Sequence, residues 1–188
     1  LFDGDAVSIN KEEGIRYFKM ALDKGNMNAM CNYAVKLYHG DGIKSNKKEA
    51  INYLKIAIDN GNSEAMYEYG NILLDSFFVF FNRKEAIQYY LMAIGKGNAN
   101  AMCKYGQLLY DGIHLPLNKV EASRCFKKAA DQGNAYAMYM YARMLVFKSE
   151  GIEINYSEAL RYAQMGVRKG NSYAMNLIAG LYKSGFGV

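Results

Sequence analysis

The chain has 188 residues, is 51% hydrophobic and 22% charged, and carries a net charge of +5. Its basic residues are interspersed with acidic ones that break every candidate stripe, which argues against nucleic-acid binding. No stretch is apolar and long enough to read as a transmembrane segment or signal peptide. Three scattered cysteines, Cys31, Cys103 and Cys125, form no disulfide framework and favour a reducing, cytoplasmic compartment.

The first element opens at Asn10, with Glu13 three residues on and small, aromatic and small residues at Gly14, Tyr17 and Ala21. Asn is a strong helix N-cap, and a Glu at the third helical position is expected to reach back to the cap amide as in a capping box. Gly25 of the Gly25-Asn26 dipeptide stands where a helix C-cap glycine belongs. The next element begins at Ala29-Met30, and Ala29, Tyr33, Ala34 and Leu37 draw the apolar stripe of an amphipathic helix.

The pair then recurs. Second helices open at Asn46, Asn82, Asn118 and Asn155, with Glu49, Glu85, Glu121 and Glu158 three residues on. First helices open at Ala65, Ala101, Ala137 and Ala174, and the slot of Ala34 holds Gly70, Gly106, Ala142 and Ala179. A small side chain there lets a neighbouring helix approach closely. The Gly-Asn dipeptides at 25, 61, 97, 133 and 170 are spaced by 36 three times and by 37 once. Such a period marks a stack of one supersecondary unit. The expected fold is all-α, an α/α superhelical solenoid of about ten helices in antiparallel pairs. Its repeats are 25–60, 61–96, 97–132 and 133–169, with partial repeats at 1–24 and 170–188. Both ends cut through a repeat, so the chain reads as a piece of a longer protein.

Ala29, Tyr33, Ala34, Leu37, Gly40, Gly42 and Ile43 resemble the first-helix pattern of Sel1-like repeats. The last copy fits best, at Ala174, Ile178, Ala179, Tyr182, Gly185, Gly187 and Val188, and Glu121-Ala122, Phe126, Ala129-Ala130 and Gly133 match the second helix. The resemblance spans the chain, and its period separates it from tetratricopeptide repeats at 34 residues. It implies an α/α superhelix used as an adaptor. Three features depart from the pattern. Tryptophan is absent, the loop Ser76 to Phe81 has lost both glycines, and the loop Lys148 to Ile154 carries an extra residue.

Nothing in the sequence supplies catalytic chemistry. His39 and His114 stand 75 residues apart, no ligand set has zinc spacing, and the periodic glutamates are capping residues. The chain is therefore expected to be no enzyme and to take no cofactor, metal or small-molecule substrate. Similarity to tetratricopeptide stacks places the first helices on a concave face. The candidate partner-binding residues there are Tyr67, Asn71, Gln107, Tyr136, Tyr139, Arg143, Phe147 and Tyr173. Cys31 and Cys103 occupy one of the same inward slots. Tyr and Arg dominate binding hot spots, and Asn and Gln suit main-chain bonding to an extended peptide. A secondary patch is Phe77, Phe78, Phe80 and Phe81, while Lys127 and Lys128 read as a solvated outer face. Two functions fit: an adaptor that holds a peptide or protein segment, with no nucleic-acid or membrane partner, or the regulatory region of a larger enzyme such as a kinase or ubiquitin-ligase complex.

Overall fold

The computed structural model describes residues 11–75, 79–148 and 151–186, and the side chains of all of these but 11, 12, 15, 19, 22, 23 and 79–81. Ten helices and no strand occur among the described residues. They are α1 Lys11–Asp23, α2 Met27–His39, α3 Lys47–Asp59, α4 Ser63–Asp75, α5 Val79–Gly95, α6 Ala99–Asp111, α7 Lys119–Asp131, α8 Ala135–Val146, α9 Tyr156–Arg168 and α10 Ser172–Lys183. They fall into two compact units, Leu1–Asn82 and Arg83–Val188.

Each turn between a second and a first helix is built from the Gly-Asn dipeptide. Gly25, Gly61, Gly97, Gly133 and Gly170 all take φ between 70° and 94°, a region that admits glycine without a Cβ clash. The asparagine then caps the next helix, a role the sequence reading did not assign. Its side-chain oxygen accepts from the amides of Ala29, Ala65, Ala101, Ala137 and Ala174 at 2.8–3.0 Å. The alanine of the Ala-Met pair thus supplies the capped amide. Asn62 Nδ2 donates to Asn28 Oδ1 at 2.7 Å and Asn134 Nδ2 to Asn100 Oδ1 at 2.9 Å, so the cap also ties one repeat to the last.

Second helices are capped as expected at Asn46, Asn118 and Asn155, whose side chains accept from Glu49, Glu121 and Glu158 amides at 3.2, 3.0 and 2.9 Å. The reciprocal half of the capping box does not form. The cap backbone amides of Asn46, Asn118 and Asn155 instead donate to the carbonyls of Leu37, Leu109 and Leu145 at 2.9 Å, one helix back. The glutamates are thereby released to other partners. Asn82 is not a cap, because α5 begins at Val79 and carries it inside the first turn. The run ahead of it has no glycine to stop a helix, whereas Gly40 and Gly112 end α2 and α6 at φ 79° and 68°.

In the first unit α1 packs on α2, α2 on α3 and α3 on α4. Tyr33 sits between Phe18 and Tyr53, with ring centroids at 5.8 and 5.6 Å, and Leu37 and Ala50 close the same cluster. In the second unit α6 packs on α7, α7 on α8, α8 on α9 and α9 on α10. Phe126, Tyr162, Met138, Met140 and Met144 fill its core among buried alanines. Each large apolar side chain so buried contributes roughly 1.5–3 kcal/mol. The Tyr162 hydroxyl keeps a partner by donating to Asp131 Oδ1 at 2.6 Å. At Gly106 an added Cβ would lie 3.0 Å from Cys125 Cβ and 3.3 Å from the Phe126 ring, which is why that slot stays small.

Candidate partner-binding face

Tyr136 and Tyr139 stand one turn apart on α8, so both leave the helix on one side. Tyr173, at the start of α10, joins them. The three ring centroids are 5.9, 6.5 and 5.4 Å apart in the pairs 136–139, 136–173 and 139–173. Tyr136 and Tyr139 are half-buried, and Tyr173 is 58% exposed. Burial is the main reason the Tyr136 hydroxyl titrates above its ordinary value, reinforced by Cys103, Tyr139 and Asp111 and opposed by Arg143. Three of the expected binding residues therefore form one aromatic cluster that solvent still reaches.

Arg143 is half-buried, and its guanidinium lies 5.6 Å from the centroid of the Tyr110 ring on α6. Tyr110 was not among the expected residues, yet it holds the only cation expected to meet a partner's carboxylate. Phe147 follows α8 in extended conformation, 58% exposed, and Gln107 is half-buried on α6.

In the first unit Tyr67 and Asn71 lie half-buried on α4. Asn71 Nδ2 donates to Glu68 Oε2 at 3.2 Å, so its amide is already engaged. Burial raises the Glu68 carboxyl above the usual range, the Asn71 bond pulling the other way. Glu68 and Glu64 border a cavity of about 290 Å³ with Phe18, Cys31, Asn32, Val35, Lys36 and Asp41.

The two cysteines are not exposed to a partner as their slot suggested: Cys31 is 1% exposed and Cys103 is buried, whereas the longer Tyr67 and Tyr139 in the same slot remain half-exposed. Burial pushes both thiols up to about 12, and Cys125 to about 11, so none is a thiolate nucleophile near neutral pH. Phe77 and Phe78 lie outside the described residues. Phe80 and Phe81 fall in the first turn of α5, with their side chains also outside the description.

Lys127 is less idle than a solvated charge. Its Nζ donates to Glu158 Oε1 at 3.1 Å and lies 5.4 Å from the centroid of the Tyr141 ring, and the Tyr141 hydroxyl donates to the same carboxylate oxygen at 3.1 Å. Those bonds raise the Lys127 ammonium above its ordinary value. Glu158, freed from the capping box, thus ties α7, α8 and α9 together.

The Sel1 repeat model matches residues 1–26, 28–62, 63–98, 99–134 and 135–171, nearly the whole chain. The chain belongs to the Sel1 repeat family. Sel1 repeats mediate protein interactions. Solved structures carry the same fold. A Sel1 repeat protein from Oxalobacter formigenes superposes with a TM-score of 0.78 at 22% identity, over 92% of this chain and 70% of that one. The protective antigen c5321 of uropathogenic Escherichia coli, which displays an SLR fold, gives 0.78 at 20% identity, over 95% of this chain and 38% of its own. The immunity protein Pa5087 of Pseudomonas aeruginosa gives 0.64 at 22% identity, over 85% and 59%. Comparison with curated proteins by sequence finds no match. The all-α solenoid expected from the period is the fold these Sel1 structures share. Among the described residues no helix is long and apolar enough to cross a membrane.

Proposed function

We propose that this Sel1 repeat chain is a non-catalytic adaptor that holds an extended segment of another protein against the first helices of its repeats. The observation that carries this reading is the cluster of Tyr136, Tyr139 and Tyr173, an aromatic face that rests on the core through Tyr136 and Tyr139 and still meets solvent. Aromatic rings bind apolar and planar groups with little loss of side-chain entropy. Arg143, steadied on Tyr110, supplies a cation for a carboxylate, while Gln107 and the exposed Phe147 extend the surface. On the other unit, Tyr67 and Asn71 of α4 are contacts of their own. The three buried thiols suit a reducing, cytoplasmic setting. Protein or peptide is the partner, rather than nucleic acid, membrane or a small-molecule substrate.

A selection of binders from a displayed peptide library, followed by affinity measurements on variants, tests this. Tyr139→Ala and Arg143→Ala are expected to weaken a selected peptide by about 2 kcal/mol or more, roughly thirtyfold. Lys128→Ala, at an exposed position on α7, should leave affinity unchanged. Normal binding by both groove variants would place the binding surface elsewhere.

A further inference from the structure

Backbone amides within α6 and α8 are spent inside their own helices, so the face that carries Tyr136, Tyr139 and Arg143 holds a ligand only through side chains. That restricts what an extended ligand can be. A sheet edge takes a strand by pairing N–H and C=O groups, and a helical face offers no such ladder. Each ligand N–H laid against it loses water without gaining a carbonyl, which costs affinity. Proline has no N–H, and its φ is already fixed at about −65°. A proline-rich chain therefore avoids that loss. It also enters already ordered as a polyproline II helix, with its carbonyls free to accept.

The side chains of the face suit such a chain. Tyr136, Tyr139 and Arg143 stand at i, i+3 and i+7 of α8 and so share one side. The Tyr110 ring of α6 lies 5.6 Å from the Arg143 guanidinium, and Gln107 precedes Tyr110 by one turn. The centroids of Tyr136, Tyr139 and Tyr173 are 5.4–6.5 Å apart, too close to admit a group between them, so the rings make a platform and not a cage. Among the described residues none of the three hydroxyls has a hydrogen-bond partner and no carboxylate pairs with Arg143, so all four can donate to a ligand. Asp111 also acts on Tyr136 and balances Arg143, which disfavours a ligand with several acids. From Tyr136 to Arg143 the helix rises about 10 Å. One three-residue turn of polyproline II covers about 9 Å.

We infer, on the adaptor reading above, that this face takes a proline-rich segment in polyproline II conformation. Its prolines lie on the rings of Tyr136, Tyr139 and Tyr173 and accept from their hydroxyls through the backbone carbonyls. One acidic side chain, about a turn along, meets the Arg143 guanidinium.

Isothermal titration calorimetry of the whole chain with three end-blocked nine-residue peptides tests this. The first has an aspartate between two runs of four prolines. The second replaces that aspartate by asparagine, and the third replaces the prolines by alternating valine and threonine. The first peptide should bind, and the other two should each bind roughly tenfold more weakly or worse. Tyr139→Ala should weaken the first peptide roughly thirtyfold, and Tyr139→Phe, which keeps the ring and its packing, should weaken it less. Arg143→Gln should weaken the first peptide roughly tenfold and leave the second unchanged, a split that loss of folding would not produce. Three results overturn the inference: no binding of the first peptide, equal binding of the valine–threonine peptide, or proline-peptide binding that neither Tyr139→Ala nor Arg143→Gln alters. Library-selected peptides free of proline that still depend on Tyr139 would then strike the ligand class and keep the adaptor reading, whereas a library with no Tyr139-dependent binder would strike both.

Discussion

Asn118 and Asn134 both cap helices through the same side-chain oxygen, but the rest of each amide works differently. Asn134 spends its Nδ2 on Asn100 at 2.9 Å, whereas the backbone amide of Asn118 reaches Leu109. Asn118→Ala should cost about 0.5–2 kcal/mol, read from urea unfolding. Asn134→Ser keeps an oxygen for Ala137 and loses only the link between repeats, so it should cost less than Asn134→Ala. Equal losses in the two Asn134 variants would show that the cap contributes nothing. The buried thiols set a second expectation. An unfolded cysteine ionises near 9.0, while Cys31 and Cys103 hold their protons to about 12. The native state therefore binds more protons within that window. The stabilisation is complete below 9.0 and is lost as pH rises toward 12. The hydroxyls of Tyr33, Tyr105, Tyr136, Tyr141 and Tyr162, all raised mainly by their burial or part-burial, act in the same direction. Thermal melts should show Tm falling above pH 9, with a shallower fall in Cys103→Ala; a flat alkaline profile would contradict the burial.

At the scale of the helix, close approach and intrinsic propensity pull glycine in opposite directions. Gly14 and Gly106 are both helical. A Cβ at Gly14 meets nothing, so Gly14→Ala should stabilise α1 by roughly 0.5–1 kcal/mol. A Cβ at Gly106 would press on Cys125 Cβ at 3.0 Å and on the Ala122 carbonyl at 3.4 Å, neither of which is a flexible side-chain end. Gly106→Ala should therefore lose about 1–3 kcal/mol from overpacking, despite its better helix propensity. Urea titrations that rank the two variants the other way round would refute the close packing of α6 on α7. The shift in the start of α5 is explained at this scale too. Gly40 and Gly112 end α2 and α6 in a left-handed turn, and the sequence before α5 has no glycine at that place.

For the whole molecule, far-ultraviolet circular dichroism should give a helical spectrum without a strand component, and a measurable strand fraction would contradict the repeat architecture. Much of that architecture was readable in the residues themselves. The period, the helix pairs and the caps at Asn46, Asn118 and Asn155 rest on interactions that span three or four residues, so local sequence determines them. Tyr136 and Tyr139 could likewise be placed together from helical spacing alone. What lies beyond a single helix was decided by the tertiary structure. Packing of successive helices buried the Cys31 and Cys103 thiols while leaving Tyr67 and Tyr139 of the same slot half-exposed. It gave the cap amides to leucine carbonyls one helix back, which released Glu158 to Lys127 and Tyr141. It also brought Tyr173 onto the α8 tyrosines and laid Arg143 over Tyr110. These contacts join residues on different helices, and their geometry depends on how helices approach and rotate against each other. Hydrophobic periodicity states which face of a helix is buried, but not which neighbour covers it.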